Sequence, residues 1–334
     1  MQIVPITIKE KIFAIKKIIE FHGETVPYEV ETYSKDFENS QRGGFFDLSN
    51  WGVIEIAGPD SVDYLQRMST TNIKSVKVGQ SAAGAFLTGK GTLVAAGTFV
   101  RLKEDQFYFV VSPTQTDTAF SHLEMFHFQE KIEINDRTTD FALLGLWKSE
   151  KQESLAIRWQ SVREKSLSHR LIPRADYGKV IKDLNNQGLS LLGMHLFHYF
   201  RIQAGLPWMG WEMGSADLIL EAGLDDFVAR NKGCYPGQEV VERIFTYGQV
   251  NRKLMRVEVF GVSLGTSSSE QEIMREDGTP VGMLRSVVAH PKEENNGVGL
   301  ALVKKAFWES KEEFQTDNGL KIKWAKVPGE VPNA

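Results

Sequence analysis

The chain has 334 residues, 42% of them hydrophobic and 25% charged, with a net charge of −4 and a single cysteine. That length supports two or three domains, each with its own core, and the composition is that of a soluble globular protein. The negative balance excludes a global basic field for nucleic acid, and one thiol excludes both an intrachain disulfide and a metal cluster held by this chain's cysteines alone.

No apolar run approaches transmembrane length. At the N-terminus, Lys9, Lys11, Lys16 and Lys17 surround Ile12, Phe13, Ile15, Ile18 and Ile19, which imitates an amphipathic targeting helix. Arginine is absent there, Glu10 and Glu20 interrupt the pattern, and no cleavable apolar segment follows. An ordinary surface helix and a cytoplasmic protein are expected.

Further along, Trp51–Ala57 is a predicted strand, stopped by Gly58-Pro59-Asp60. Val62, Leu65 and Met68 at helical spacing predict a short helix to about Ser69. Ala82–Leu87 and Leu93–Leu102 read as a hairpin turning at Gly89-Lys90-Gly91, with Phe107–Val111 as a third strand. Ser112-Pro113-Thr114-Gln115 offers a helix cap, and Phe120, Leu123 and Phe126 then face a core. Lys131–Ile134, Phe141–Trp147 and Ser154–Trp159 are further strands. The strongest helix signal is Leu191–Ala204, stopped by Gly205. From Lys253 the pattern turns to β, with Leu254–Phe260, Val281–Ala289 and Val298–Lys304 separated by polar loops such as Thr266–Ser269, which suits a small barrel.

Several stretches invite a chemical reading. Residues 84–91 match the spacing of a phosphate-binding loop, but Gly91 stands where a Mg²⁺-binding hydroxyl is needed and a strand follows in place of a helix. His195 and His198, like His122 and His127, lack a convincing third ligand, so no metal site is expected. Residues 230–256 carry six basic side chains (Arg230, Lys232, Arg243, Arg252, Lys253, Arg256) against Glu239 and Glu242, a local net of +4. That is either a solvated face or an anion site. Trp208 and Trp211 offer either stacking surfaces or core.

The cysteine sits in Lys232-Gly233-Cys234-Tyr235-Pro236-Gly237-Gln238-Glu239. Lys232 and Arg230 nearby favour a thiolate, and the glycines and proline suit a tight loop presenting sulfur. An inert buried cysteine in a Gly/Pro turn fits the same residues.

This octapeptide resembles the signature of the YgfZ family, folate-binding relatives of the glycine-cleavage T-protein (aminomethyltransferase). Gly44-Phe45-Phe46-Asp47-Leu48-Ser49, residues 201–207, Glu221-Ala222-Gly223-Leu224 and Val250-Asn251-Arg252 match in the family's order. The resemblance implies an α+β, T-protein/YgfZ-like three-domain ring. An interrupted first α+β domain (1–46 and 135–250) would carry the Cys234 loop, an inserted α+β domain would span 47–134, and a C-terminal β-barrel 251–334.

It also implies a folate-binding accessory factor in assembly or repair of iron–sulfur proteins, with tetrahydrofolate as cofactor and indirect support of tRNA thiomethylation. Cys234 would be the functional thiol, Lys232 and Arg230 would hold it as thiolate, and Gln238 and Glu239 would fix the loop or ligand. Arg201, Glu221 and Arg230 would line the folate opening. Iron–sulfur clients, among them radical enzymes that modify tRNA, would be partners; DNA and membranes would not, and direct tRNA contact is a further reading.

The T-protein's acidic pair after the hairpin glycine is replaced here by Ala95 and Ala96, and methyl groups cannot orient an amine or stabilise a developing cation. Aminomethyltransferase activity is therefore not expected, and a one-carbon transferase with a changed acceptor is the alternative. Other departures are Gln203 for Glu, Leu220 for Pro and Gln249 for His.

Overall fold

The computed structural model describes residues 4–21, 24–149, 157–248, 250–263 and 270–325. Gln249, the loop 266–269 and the start of the strand expected from Ser154 lie outside them. By internal contacts the chain forms two compact units, Met1–Phe197 with Asp225–Val240 and His198–Leu224 with Val241–Ala334.

The first unit opens with one helical turn, α1 (Ile6–Lys9), and the basic stretch after it is not a helix. Lys11 takes a left-handed backbone with φ of 50°, which ends the helix. β1 (Lys17–Phe21) then pairs antiparallel with β2 (Glu24–Glu29). Adjacent Ile18 and Ile19 are stiff at χ1 and suit this ladder better than a helix. After α2 (Tyr33–Ser40), whose Thr32 side chain caps the amide of Lys35, comes β3 (Gly44–Asp47).

β4 (Gly52–Ala57), α3 (Ser61–Met68), β5 (Ser81–Leu87), β6 (Leu93–Lys103), β7 (Gln106–Val111), α4 (Thr116–Met125) and β8 (Glu133–Asp136) follow. Their strands form an antiparallel sheet in the order β5-β6-β7-β4-β8, and α3 and α4 cover one face of it. Ile54, Ile56, Phe86, Phe99, Phe107 and Phe109 from the strands meet Tyr64, Leu65, Ala119 and Leu123 from the helices in a closed core. Pro113–Gln115 is a 3₁₀ turn before α4, and the Ser112 side chain makes no capping bond.

β9 (Phe141–Trp147), β10 (Ile157–Gln160), β11 (Leu167–Pro173), α5 (Tyr177–Asn186) and β12 (Ser190–Leu191) complete a second sheet with β3. Its order is β10-β11-β9-β3-β12, and β12 runs parallel to β3. Tyr177, Val180, Ile181 and Leu184 on α5 recur at helical spacing and are buried against this sheet. Leu191 is thus a strand residue, and α6 (Met194–Gln203) starts later than its periodicity predicts. Just before α6 stands Gly193, where a Cβ would lie 2.4 Å from the carbonyl oxygen of Tyr28. Only glycine fits that approach.

In the second unit, β13 (Arg252–Val262), β14 (Gln271–Met274), β15 (Pro280–Ala289), β16 (Asn295–Lys304), β17 (Phe314–Thr316) and β18 (Lys321–Trp324) close into a barrel, in the order β13-β16-β15-β14-β17-β18. Alternate residues such as Val257, Val259, Val281, Val287, Ala301 and Val303 fill its interior. No helix among the described residues is long and apolar enough to cross a membrane.

Two histidines of the first unit are built in as neutral rings. His169 stacks on Trp159 at 5.3 Å, and His195 lies between Tyr28 and Tyr33 at 4.5 and 3.7 Å. Burial lowers His169 to about 4 and His195 to about 3. An unfolded chain takes up these protons near pH 6.5, so stability is full above that value and falls as pH drops towards 4. His169→Phe should flatten this acid limb by up to about 3 kcal/mol, read as the pH dependence of the urea midpoint.

Candidate functional site

The carbonyls at the C-terminal end of α3 lack partners within the helix and require donors. Lys232 supplies them: its Nζ donates to the carbonyl oxygen of Gln66 at 2.6 Å and to that of Ser69. In return Gln66 Nε2 donates to the carbonyl of Lys232 at 2.6 Å, while Gln66 Oε1 accepts from the amide of Lys74 at 3.1 Å. Thr70 adds a second attachment. Its hydroxyl donates to the carbonyl of Phe227 and accepts from the amide of Ala85, and its carbonyl accepts from the amide of Ala229. The end of α3 therefore fastens the segment 227–232 to β5.

Lys232 is 8% exposed, and burial lowers its pKa to about 8. Its ammonium also lies 5.2 Å from the ring centre of Tyr235, itself buried. Between these two anchors Gly233 and Cys234 are exposed. Asn231, Gly233 and Gly237 all take left-handed backbones, with φ of 64°, 96° and 79°. At Gly237 a Cβ would lie 2.6 Å from the carbonyl oxygen of Thr88 and 2.8 Å from Cα of Gly91, so the loop rests directly on the β5–β6 turn. That turn is closed by hydrogen bonds between Thr88 and Thr92.

Sequence reasoning singled out Cys234, and the structure presents it on the surface. Lys232, expected to hold the thiolate, turns its side chain inward to backbone carbonyls. Arg230 is exposed on the same loop. Gln238 and Glu239 are not loop residues but open α7 (Gln238–Tyr247), so the β-branched run Val240–Phe245 is helical. The amide of Gln238 donates to the carbonyl of Tyr235, and Glu239 is exposed in the first turn. Gln66 and Thr70 went unnoticed in the sequence, since nothing local marks a residue whose partner lies far along the chain.

Ala95 and Ala96 are neighbours on β6 and so point to opposite faces. Ala95 lies in the sheet's core; Ala96, opposite Ala85, is half-buried on the other face. Of the two positions, only 96 lies outside that core.

In the second unit Arg201 is 2% exposed. Its guanidinium donates to Glu212 Oε1 at 2.8 Å, to the carbonyl of Leu206 at 3.1 Å and to His198 Nδ1 at 2.9 Å. Trp208 and Trp211 lie 4.8 and 5.0 Å from it, so these rings pack on the arginine. Glu221 accepts from Arg252, which also reaches Asp217, and Arg256 donates to Gln203 Oε1 at 2.6 Å. The charges of Arg201 and Glu221, both expected at a folate opening, are compensated within the unit. Arg252, expected in an anion site, is likewise paired. Among the described residues no three His, Cys, Asp or Glu side chains converge as metal ligands.

Residues 33–157 match the GCVT N-terminal domain. A putative chloroplastic transferase from Arabidopsis thaliana is 28% identical over 78% of this chain and 65% of its own length. An aminomethyltransferase from Listeria monocytogenes is 24% identical over 93% of both chains. The sequence likeness is thus to aminomethyltransferases of the T-protein type. The crystal structure of glycine cleavage system aminomethyltransferase T from Bartonella henselae covers 96% of this chain, with a TM-score of 0.81 at 18% identity. The T-protein fold is therefore present, including the closed six-stranded barrel. The T-protein match over 33–157 includes α3 and the β5–β6 turn.

Two substitutions test this geometry. Gly237→Ala should cost more than Gly233→Ala: both pay the left-handed penalty of about 1–2 kcal/mol, but only position 237 adds a clash with backbone, since nothing lies within 4 Å of a Cβ at 233. Denaturant titration of the two variants compares them. Arg201→Met strands the buried Glu212 carboxylate and should cost about 3–5 kcal/mol. Pairing it with Glu212→Leu should restore much of the loss, whereas a ligand contact would lower affinity without this coupling.

Proposed function

We propose that this chain is an accessory factor on the T-protein fold that acts through the thiol of Cys234, in assembly or repair of iron–sulfur proteins. The observation that carries this reading is the exposed sulfur between two buried anchors, on a loop fastened to α3 and to the β5–β6 turn. A thiol at that position can lose its proton and, as thiolate, lend an electron pair to iron held by a partner protein. Support of tRNA-modifying radical enzymes would follow indirectly, through their clusters. Folate is proposed as a bound ligand and not a reactant. No chemical step is assigned to it.

The curated relatives that span this chain support a second reading, a folate-dependent one-carbon transferase with a changed acceptor. The alanines at 95 and 96 argue against the aminomethyl reaction, since neither can act as an acid or base.

Calorimetric titration of the reduced protein with tetrahydrofolate should give micromolar binding, about −8 kcal/mol, and no turnover with an amine donor. Turnover would favour the transferase. In a strain lacking this protein, Cys234→Ala should fail to restore iron–sulfur enzyme activity; full restoration would end the thiol reading.

A further inference from the structure

Cys234 lies on an overhang of two residues. Lys232 on one side and Tyr235 on the other are buried, while Gly233 and Cys234 are exposed between them. The backbone around the overhang does not hold itself. Asn231 and Gly233 flank Lys232 with left-handed angles, so local preference does not fix the direction in which Cys234 leaves the protein. On the N-terminal side that direction is set by contacts made to Lys232, and they come from α3.

Gln66 makes the decisive ones. Its side-chain amide donates to the main-chain carbonyl of Lys232, and its main-chain carbonyl accepts from the end of the same lysine's side chain. The loop residue is thus gripped at both ends by one partner. The amide has one orientation available, because Oε1 is engaged by the amide of Lys74 and Nε2 must therefore face the loop. Gln66 is 8% exposed, so water does not substitute readily for the lost donor. The lysine's cation also sits where the C-terminal end of a helix favours positive charge. The two ends of the grip therefore reinforce each other.

We propose that Gln66 is the positioning residue for Cys234, fixing the direction in which the thiol is presented. The inference rests on the reading of Cys234 as the functional group. It extends that reading by assigning the control of the sulfur's orientation to a residue on α3 that touches neither sulfur nor ligand.

Because the chain has one cysteine, a nitroxide attached through a methanethiosulfonate reagent labels Cys234 alone. In the otherwise unaltered full chain the electron paramagnetic resonance spectrum should show one restricted population. Gln66→Met, close in length but without donor or acceptor, should add a population moving severalfold faster, with far-UV circular dichroism unchanged. Gln66→Glu keeps an acceptor for Lys74 but cannot donate to the carbonyl of Lys232, and it should loosen the label too. If Gln66→Met does not fold, Gln66→Glu alone decides. An unchanged spectrum in a folded Gln66 variant overturns the proposal, whatever Cys234 does. Loosening of the label supports it. If the label loosens while Cys234→Ala still restores iron–sulfur enzyme activity, the positioning stands and the thiol reading falls.

Discussion

The terminal carbonyls of α3 are the point on which the Cys234 loop of the first unit depends. A helix that stops inside a protein leaves acceptors that must be met, and here a lysine 166 and 163 residues away meets two of them. Burying an ammonium is costly, as the lowered pKa of Lys232 records, and the cost is offset by carbonyl oxygens at the negative end of a helix. The same contact joins three parts of the unit: α3, the β5–β6 hairpin that lies against Gly237, and the loop that carries the sulfur.

The sequence made the regular parts of this architecture legible where one pattern ruled. The hairpin at 82–102 and the strands 141–147 and 281–289 alternate or run apolar between clear turns, and they lie where the pattern predicts. Where two patterns competed, helical spacing misled. The N-terminal lysine–isoleucine stretch has both a helical charge pattern and β-branched pairs, and a neighbouring strand decides between them. Val240–Phe245 is β-branched at its start yet helical, because Pro236-Gly237 turns the chain and Gln238 opens a helix there. Leu191 continues the apolar spacing of α6, but its backbone is taken by β3.

The candidate site divides in the same way. Cys234 could be found because a single cysteine between glycines is conspicuous in one dimension. Arg201 and Glu221 could be named as charged residues, but their partners Glu212 and Arg252 had to be seen in space. A side chain's charge can be read from a sequence, and whether that charge is already spent cannot. The parity of Ala95 and Ala96 is an intermediate case: strand periodicity alone separates them onto two faces once the strand is accepted.

The grip on Lys232 also has a consequence in time. Residues 66–69 leave the ribosome long before residue 232, and their contact is of high sequence separation, which makes it costly to form early. A chain still under synthesis has α3 and the hairpin but no lysine to complete them. The sulfur acquires its fixed direction only when nearly the whole first unit has been made and folded. Its orientation is therefore a property of the finished protein and not of any fragment that precedes it.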